Sequence, residues 1–197
     1  MKRPSGFTLI ELLVVISIIG ILASLAIPAV LGGISKAQMT QALSNMKQLH
    51  LTCMQMSLDG TTTGDSTLGW PGTYSNFTGW ATNVAPGYLS SNDFCKIMSV
   101  AGAILSVSSF PTANSNGIHV FAVGDGDDGS VVVFNTRNVT NSSTGTNAGW
   151  SLATNAQGLF GNRGFVMFRK GGDGSAYLPR QTNQPALLGT VTTNTGW

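Results

Sequence analysis

The chain has 197 residues, room for one compact core with an appendage, which excludes a large multidomain enzyme. Charged residues make up 9% of it, against roughly 25% in an ordinary soluble domain, so disorder driven by charge is excluded as well. A formal net charge of +2 leaves no electrostatic footprint for wrapping a polyanion, which argues against a nucleic-acid partner.

From Leu12 to Ser35 there is no charged residue. As a helix rising ~1.5 Å per residue the run spans ~36 Å, enough to cross a hydrocarbon core of ~30 Å. A cleaved secretory signal would carry a shorter apolar region, about 7 to 15 residues. The run therefore predicts a single membrane helix. Lys2 and Arg3 precede it and only Lys36 and Lys47 follow closely. That bias places the amino terminus in the cytoplasm and the rest of the chain outside. One carboxylate interrupts the apolar pattern: Glu11, the sole glutamate in the sequence. A charge at that depth is costly and calls for a partner.

Met1-Lys2-Arg3-Pro4-Ser5-Gly6 followed by Phe7-Thr8-Leu9-Ile10-Glu11-Leu12-Leu13-Val14-Val15-Ile16 resembles the class III signal of type IV prepilins and type II secretion pseudopilins. The resemblance implies cleavage between Gly6 and Phe7 by an inner-membrane prepilin peptidase, and N-methylation of the new terminal Phe7. It makes Glu11 the glutamate that pairs with the free amino terminus of a neighbouring subunit. Gly20 and Pro28 fall where many members carry a helix-loosening glycine and a kinking proline. By the same resemblance the partners are copies of the chain or related pilins, the peptidase and methyltransferase, an inner-membrane assembly platform and the bilayer. The destination is a pseudopilus or a cell-surface pilus, with the carboxy-terminal head in the periplasm before assembly.

Elementary geometry agrees. Phe7 and Glu11 are separated by ~6 Å of axial rise, so a neighbour displaced by that distance sets its cationic amine against the carboxylate. Every other register leaves both charges unpaired. Pro28 removes an amide donor and crowds the carbonyl of Ser24, which predicts a kink or local unwinding.

Beyond Gly32-Gly33 the pattern turns amphipathic. Met39, Ala42, Leu43, Met46, Leu49, Cys53 and Met56 recur at helical spacing, with Lys36, Thr40, Ser44, Lys47, Gln48 and Gln55 opposite. One helix is expected from Phe7 to about Leu58, its methionine-rich stripe packed on a sheet and its end set by Gly60 and Gly64. The expected organisation is a leader at 1–6, a transmembrane and filament-core helix at 7–33, and its amphipathic continuation at 34–58. A long ordered connection at 59–111 and a sheet-bearing head at 112–197 follow.

Short β-prone runs occur at Ile118–Val123, Val131–Phe134, Phe165–Phe168 and Ala176–Leu178. The first pair flanks the turn-rich Gly124–Gly129 and the second flanks Gly171–Gly174, so two hairpins of a small antiparallel sheet are predicted. Between them, Thr136 to Gly149 reads as an exposed polar loop. The fold class is α+β: a long amino-terminal helix on a small antiparallel sheet, pilin-like in architecture.

Candidate chemistry is sparse. Asp125, Asp127 and Asp128 lie in one glycine-rich turn and form either a plain solvated turn or a Ca²⁺ site built from oxygen ligands. Major pseudopilins resemble one another in carrying such a site in a sheet loop. No cofactor is otherwise required. Cys53 and Cys95, the only cysteines, would lie outside the cytoplasm, which favours a disulfide over two separate thiols. His50 and His119 have no nucleophile motif around them, so no enzyme activity is expected. The leading expectation is a structural filament subunit. The alternatives are a tip binding module using Arg163, Arg169, Lys170 and Arg180, or a tethered extracytoplasmic protein that only borrows the signal.

Overall fold

The structure is a computed structural model in which residues 7–101, 117–141, 149–152 and 159–191 are described. Helix α1 spans Leu9–Thr63, 55 residues, or about 80 Å at ~1.5 Å per residue. It runs past the expected limit at Leu58 and ends on Gly64, whose φ of 73° is the left-handed cap that glycine adopts without a Cβ penalty. Gly60, expected to help end the helix, lies buried inside it instead. A Cβ there would stand 2.5 Å from the Leu68 carbonyl oxygen, so the missing side chain is what lets the chain fold back against the last turns. The helix also continues unbroken through Pro28, and the unwinding expected there does not occur. Proline removes a single rung, while good helix formers on both sides keep the remaining bonds.

The amphipathic stripe folds as its spacing requires. Met39, Ala42, Met46, Leu49, Cys53 and Met56 are buried, Leu43 is partly buried, and Lys36, Thr40, Ser44, Lys47, Gln48 and Gln55 are exposed.

The connection after α1 carries two helices that periodicity did not reveal: α2 (Phe77–Val84) and α3 (Ser91–Met98). Each is started by a side-chain cap. Asn76 Oδ1 accepts from the Gly79 amide at 2.8 Å, and Ser90 Oγ accepts from the Asp93 amide at 3.1 Å while donating to Asp93 Oδ2 at 2.7 Å. Their buried faces meet around Trp80, whose ring lies 5.7 Å from Phe77, 5.8 Å from Phe94 and 6.3 Å from Phe134. Asn45 Nδ2 ties α1 to the end of α3 by donating to the Ile97 carbonyl at 2.9 Å.

Among the described residues six strands follow: β1 (Ile118–Val120), β2 (Val132–Thr136), β3 (Val139–Asn141), β4 (Trp150–Leu152), β5 (Phe165–Arg169) and β6 (Gly174–Tyr177). Strands β1, β2, β5 and β6 form an antiparallel sheet in the order β1-β2-β5-β6, so both expected hairpins are present. A register shift interrupts the β2–β5 ladder between Val132 and Phe134. At its far end side chains replace rungs: Thr136 Oγ1 accepts from the Val166 amide at 3.0 Å, and Asn138 Nδ2 donates to the Gly164 carbonyl at 2.7 Å. The segment expected as an exposed loop, Thr136 to Gly149, contributes the end of β2 and all of β3, and β3 pairs antiparallel with β4 just beyond it, burying Val139 and Trp150; residues 142–148 lie outside the described ones. The last element among the described residues is the short helix α4 (Pro185–Leu188), which buries Leu188.

Candidate functional site: the exposed amino-terminal helix

The two halves of α1 are solvated in opposite ways. The second half is buried along one face by the head. From Phe7 to Ile34 no large apolar side chain is buried: Phe7 is 74% exposed, Leu9 81% and Leu25 74%. Among the described residues α1 is the helix long and apolar enough to cross a membrane, and its most apolar stretch has no packing partner in the subunit. Exposure of that extent in water is untenable, so lipid or other helices must cover it. Gly20, within this half, would present a Cβ to open space, so nothing inside the subunit requires a glycine there.

Thr8 and Glu11 form a capping box at the start of α1. Glu11 Oε2 accepts from the Thr8 amide at 2.8 Å and from Thr8 Oγ1 at 2.6 Å, and the Glu11 amide donates back to Thr8 Oγ1 at 3.4 Å. Both bonds fall on Oε2, and no hydrogen bond to Oε1 is made among the described residues. Thr8 thus orients the carboxylate in the lone subunit, a role readable in the Thr8-x-x-Glu11 spacing but not expected from the apolar pattern. Phe7 lies beside it at the helix entrance, and Gly6 lies outside the described residues.

The three aspartates do not gather. Asp125 Oδ1 accepts from Ser57 Oγ, Asp127 Oδ2 from the Gly124 amide at 2.7 Å, and Asp128 Oδ1 from the Ser130 amide at 2.8 Å. No three acidic, histidine or cysteine side chains among the described residues are placed to hold a metal ion. Sequence spacing crowds these carboxylates, but each is turned to a different donor.

Cys53 and Cys95 are both buried and both free, so the bridge favoured by compartment is not made. They are used as small apolar side chains, one on the α1 stripe and one on α3, and burial pushes the Cys53 thiol up to about 12. The basic side chains considered for a binding patch are partly spent inside the head. Arg169 Nη1 pairs with Asp173 at 2.6 Å while its other nitrogens donate to the Leu187 and Leu188 carbonyls, and Lys170 Nζ donates to two loop carbonyls. His50 is buried with Nε2 2.7 Å from the Lys170 carbonyl, which assigns it to packing.

A membrane-length helix, apolar on all sides at its amino end and carrying a small α+β head, fits membrane anchoring through that helix. The family profile described as the prokaryotic N-terminal methylation motif matches residues 1–27. The chain is 42% identical over 67 residues to the type IV major fimbrial protein FimA of Dichelobacter nodosus, covering 34% of this chain and 43% of that protein. It is 43% identical over 60 residues to a fimbrial protein of Pseudomonas aeruginosa, 30% of this chain and 39% of that one. It is 45% identical over 58 residues to the type II secretion system core protein G of Aeromonas hydrophila, 29% and 41% of the respective chains. These matches span less than half the length of each of the three relatives. No solved structure matches. The methylation motif and the relatives show that the amino-terminal part of this chain is similar to type IV fimbrial proteins and to a type II secretion core protein.

Proposed function

We propose that the protein is a structural subunit of a type IV pilus or a type II secretion pseudopilus. It is inserted in the bacterial inner membrane as a prepilin with its head in the periplasm, cleaved after Gly6, methylated on Phe7, and polymerised through α1. The observation that carries this reading is the unburied apolar half of α1, which needs one covering in the monomer, lipid, and another in the filament, the same half of neighbouring helices.

Glu11 gives that packing its register. Oε2 is held by Thr8, which leaves Oε1 to accept from the amine that cleavage creates at Phe7 of a neighbour. The pair removes both charges from the apolar filament interior, and only one axial offset allows it. Gly20 and Pro28 are the positions at which α1 yields most readily as it leaves the bilayer, since one lacks a side chain and the other lacks a rung. No step here is catalytic, and the chemistry of processing belongs to the peptidase.

Intact-mass analysis of the protein sheared from its own host tests the reading. The expected result is loss of residues 1–6 with one methyl group on Phe7. Retention of Met1 to Gly6 in assembled material overturns it. Immunogold decoration along long surface fibres assigns a pilus, and decoration confined to the periplasm assigns a pseudopilus.

A further inference from the structure

We propose that the Lys170 ammonium is the resident cation of the Gly124–Gly129 loop, and that this head keeps its shape without calcium. The carboxylates of Asp125, Asp127 and Asp128 are engaged by Ser57, Gly124 and Ser130, whereas a calcium ion needs about six to eight oxygens converging at ~2.3–2.6 Å. The oxygens that do converge are backbone carbonyls. Those of Asp125 and Asp127 accept from Lys170 Nζ at 2.5 Å and 2.7 Å, charge-assisted bonds to one ammonium. The same nitrogen stands 5.6 Å from the centre of the Trp70 ring, so the aromatic face closes a side that carbonyls leave open.

The backbone holds Lys170 so that its side chain reaches the loop. The Lys170 amide donates to the Val131 carbonyl at 2.9 Å, the next amide, Gly171, donates to the Gly129 carbonyl at 2.8 Å, and His50 Nε2 donates to the Lys170 carbonyl at 2.7 Å. The approach is close: a Cβ on Gly171 would stand 3.1 Å from the Gly129 oxygen, tighter than ordinary van der Waals contact. A cation is thus carried from the β5–β6 turn into the β1–β2 connection. Ser57 and Trp70 link the same loop to α1 and to the segment after it. Three carboxylates in one turn repel each other, and the ammonium offsets that repulsion. Asp128 reports the field: its carboxyl is held below the usual range chiefly by the Ser130 amide, with the Lys170 charge adding to the effect. A divalent ion would have to displace a tethered positive charge to reach these carbonyls.

The test uses the full chain purified in detergent. Its melting temperature is compared in EGTA and in millimolar calcium, and amide exchange is followed across Gly124–Gly129. The wild-type melting curves should superimpose in the two buffers. Lys170→Met, which keeps the stem and removes the charge, should lower the melting temperature by several degrees and speed exchange at the Gly124 and Asp127 amides severalfold. If that variant does not accumulate, Lys170→Gln carries the same comparison. A wild-type melting temperature raised by calcium overturns the proposal, and so does unchanged exchange in the uncharged variants.

Discussion

Replacing Trp80 by Ala should cost the head more stability than any other single truncation of its helical layer. Trp80 is fully buried on α2 and touches aromatic rings from α2, α3 and β2 at centroid distances of 5.7, 5.8 and 6.3 Å. Truncating a buried Trp or Phe to Ala costs ~3–5 kcal/mol, and three ring contacts that cannot collapse together place this site at the upper end. Trp80→Phe removes about 40 Å³, which at ~24 cal/mol per Å³ of residual cavity is about 1 kcal/mol. The ratio between the two variants is therefore the sharp quantity. Urea denaturation of a fragment beginning at Ile34, followed by circular dichroism, measures both, because that fragment keeps every buried residue of α1. A loss below ~2 kcal/mol for Trp80→Ala, or equal losses for the two variants, would show that Trp80 is not the hub.

At Gly60 the carbonyl of Leu68 leaves no space for a methyl group, so Gly60→Ala should destabilise the same fragment by ~1–3 kcal/mol, whereas Gly64→Ala should cost only the ~1–2 kcal/mol of a left-handed Ala. The Cys53 thiol should resist alkylation near neutral pH until the head unfolds. Its folded value of about 12 lies above the ordinary thiol value of 9.0, so the unfolded state releases the proton first and stability should decline as pH rises above about 9. In acid the opposite groups act. Asp65, Asp93 and Asp128 are held below the ordinary 3.8 chiefly by bonds from Thr67, Ser90 and Ser130, so the stability they contribute is complete above that value and is lost as pH falls below it. A melting temperature that does not fall between pH 5 and pH 2 would contradict these capping roles.

What was legible in the sequence follows from signals that a single residue type carries alone. The uncharged run, the solitary Glu11 and the spacing of Met39, Met46, Leu49 and Met56 each dictate burial or its absence without reference to distant residues. The two hairpins were legible because Gly124–Gly129 and Gly171–Gly174 punctuate apolar runs. Helices α2 and α3 were hidden by their length: eight residues give barely two turns of periodicity, and only the caps at Asn76 and Ser90 mark them. Strands β3 and β4 were hidden because three residues each, flanked by polar loop, show no alternation. The aspartate turn misled for a different reason. Spacing places carboxylates near one another but does not say which oxygens converge, and the deciding group, Lys170, is remote in sequence. The cysteine pair was read from compartment, whereas packing made each thiol an ordinary core side chain.

Filament yield in a strain whose only copy carries Glu11→Leu tests most directly whether α1 assembles through a carboxylate–amine pair. Membrane-bound monomer is quantified alongside, with Thr8→Ala as the variant that removes the cap and keeps the carboxylate. The account predicts full membrane insertion and lost or slowed assembly for Glu11→Leu, an intermediate yield for Glu11→Asp, and a milder defect for Thr8→Ala. Normal filament yield from Glu11→Leu would contradict it.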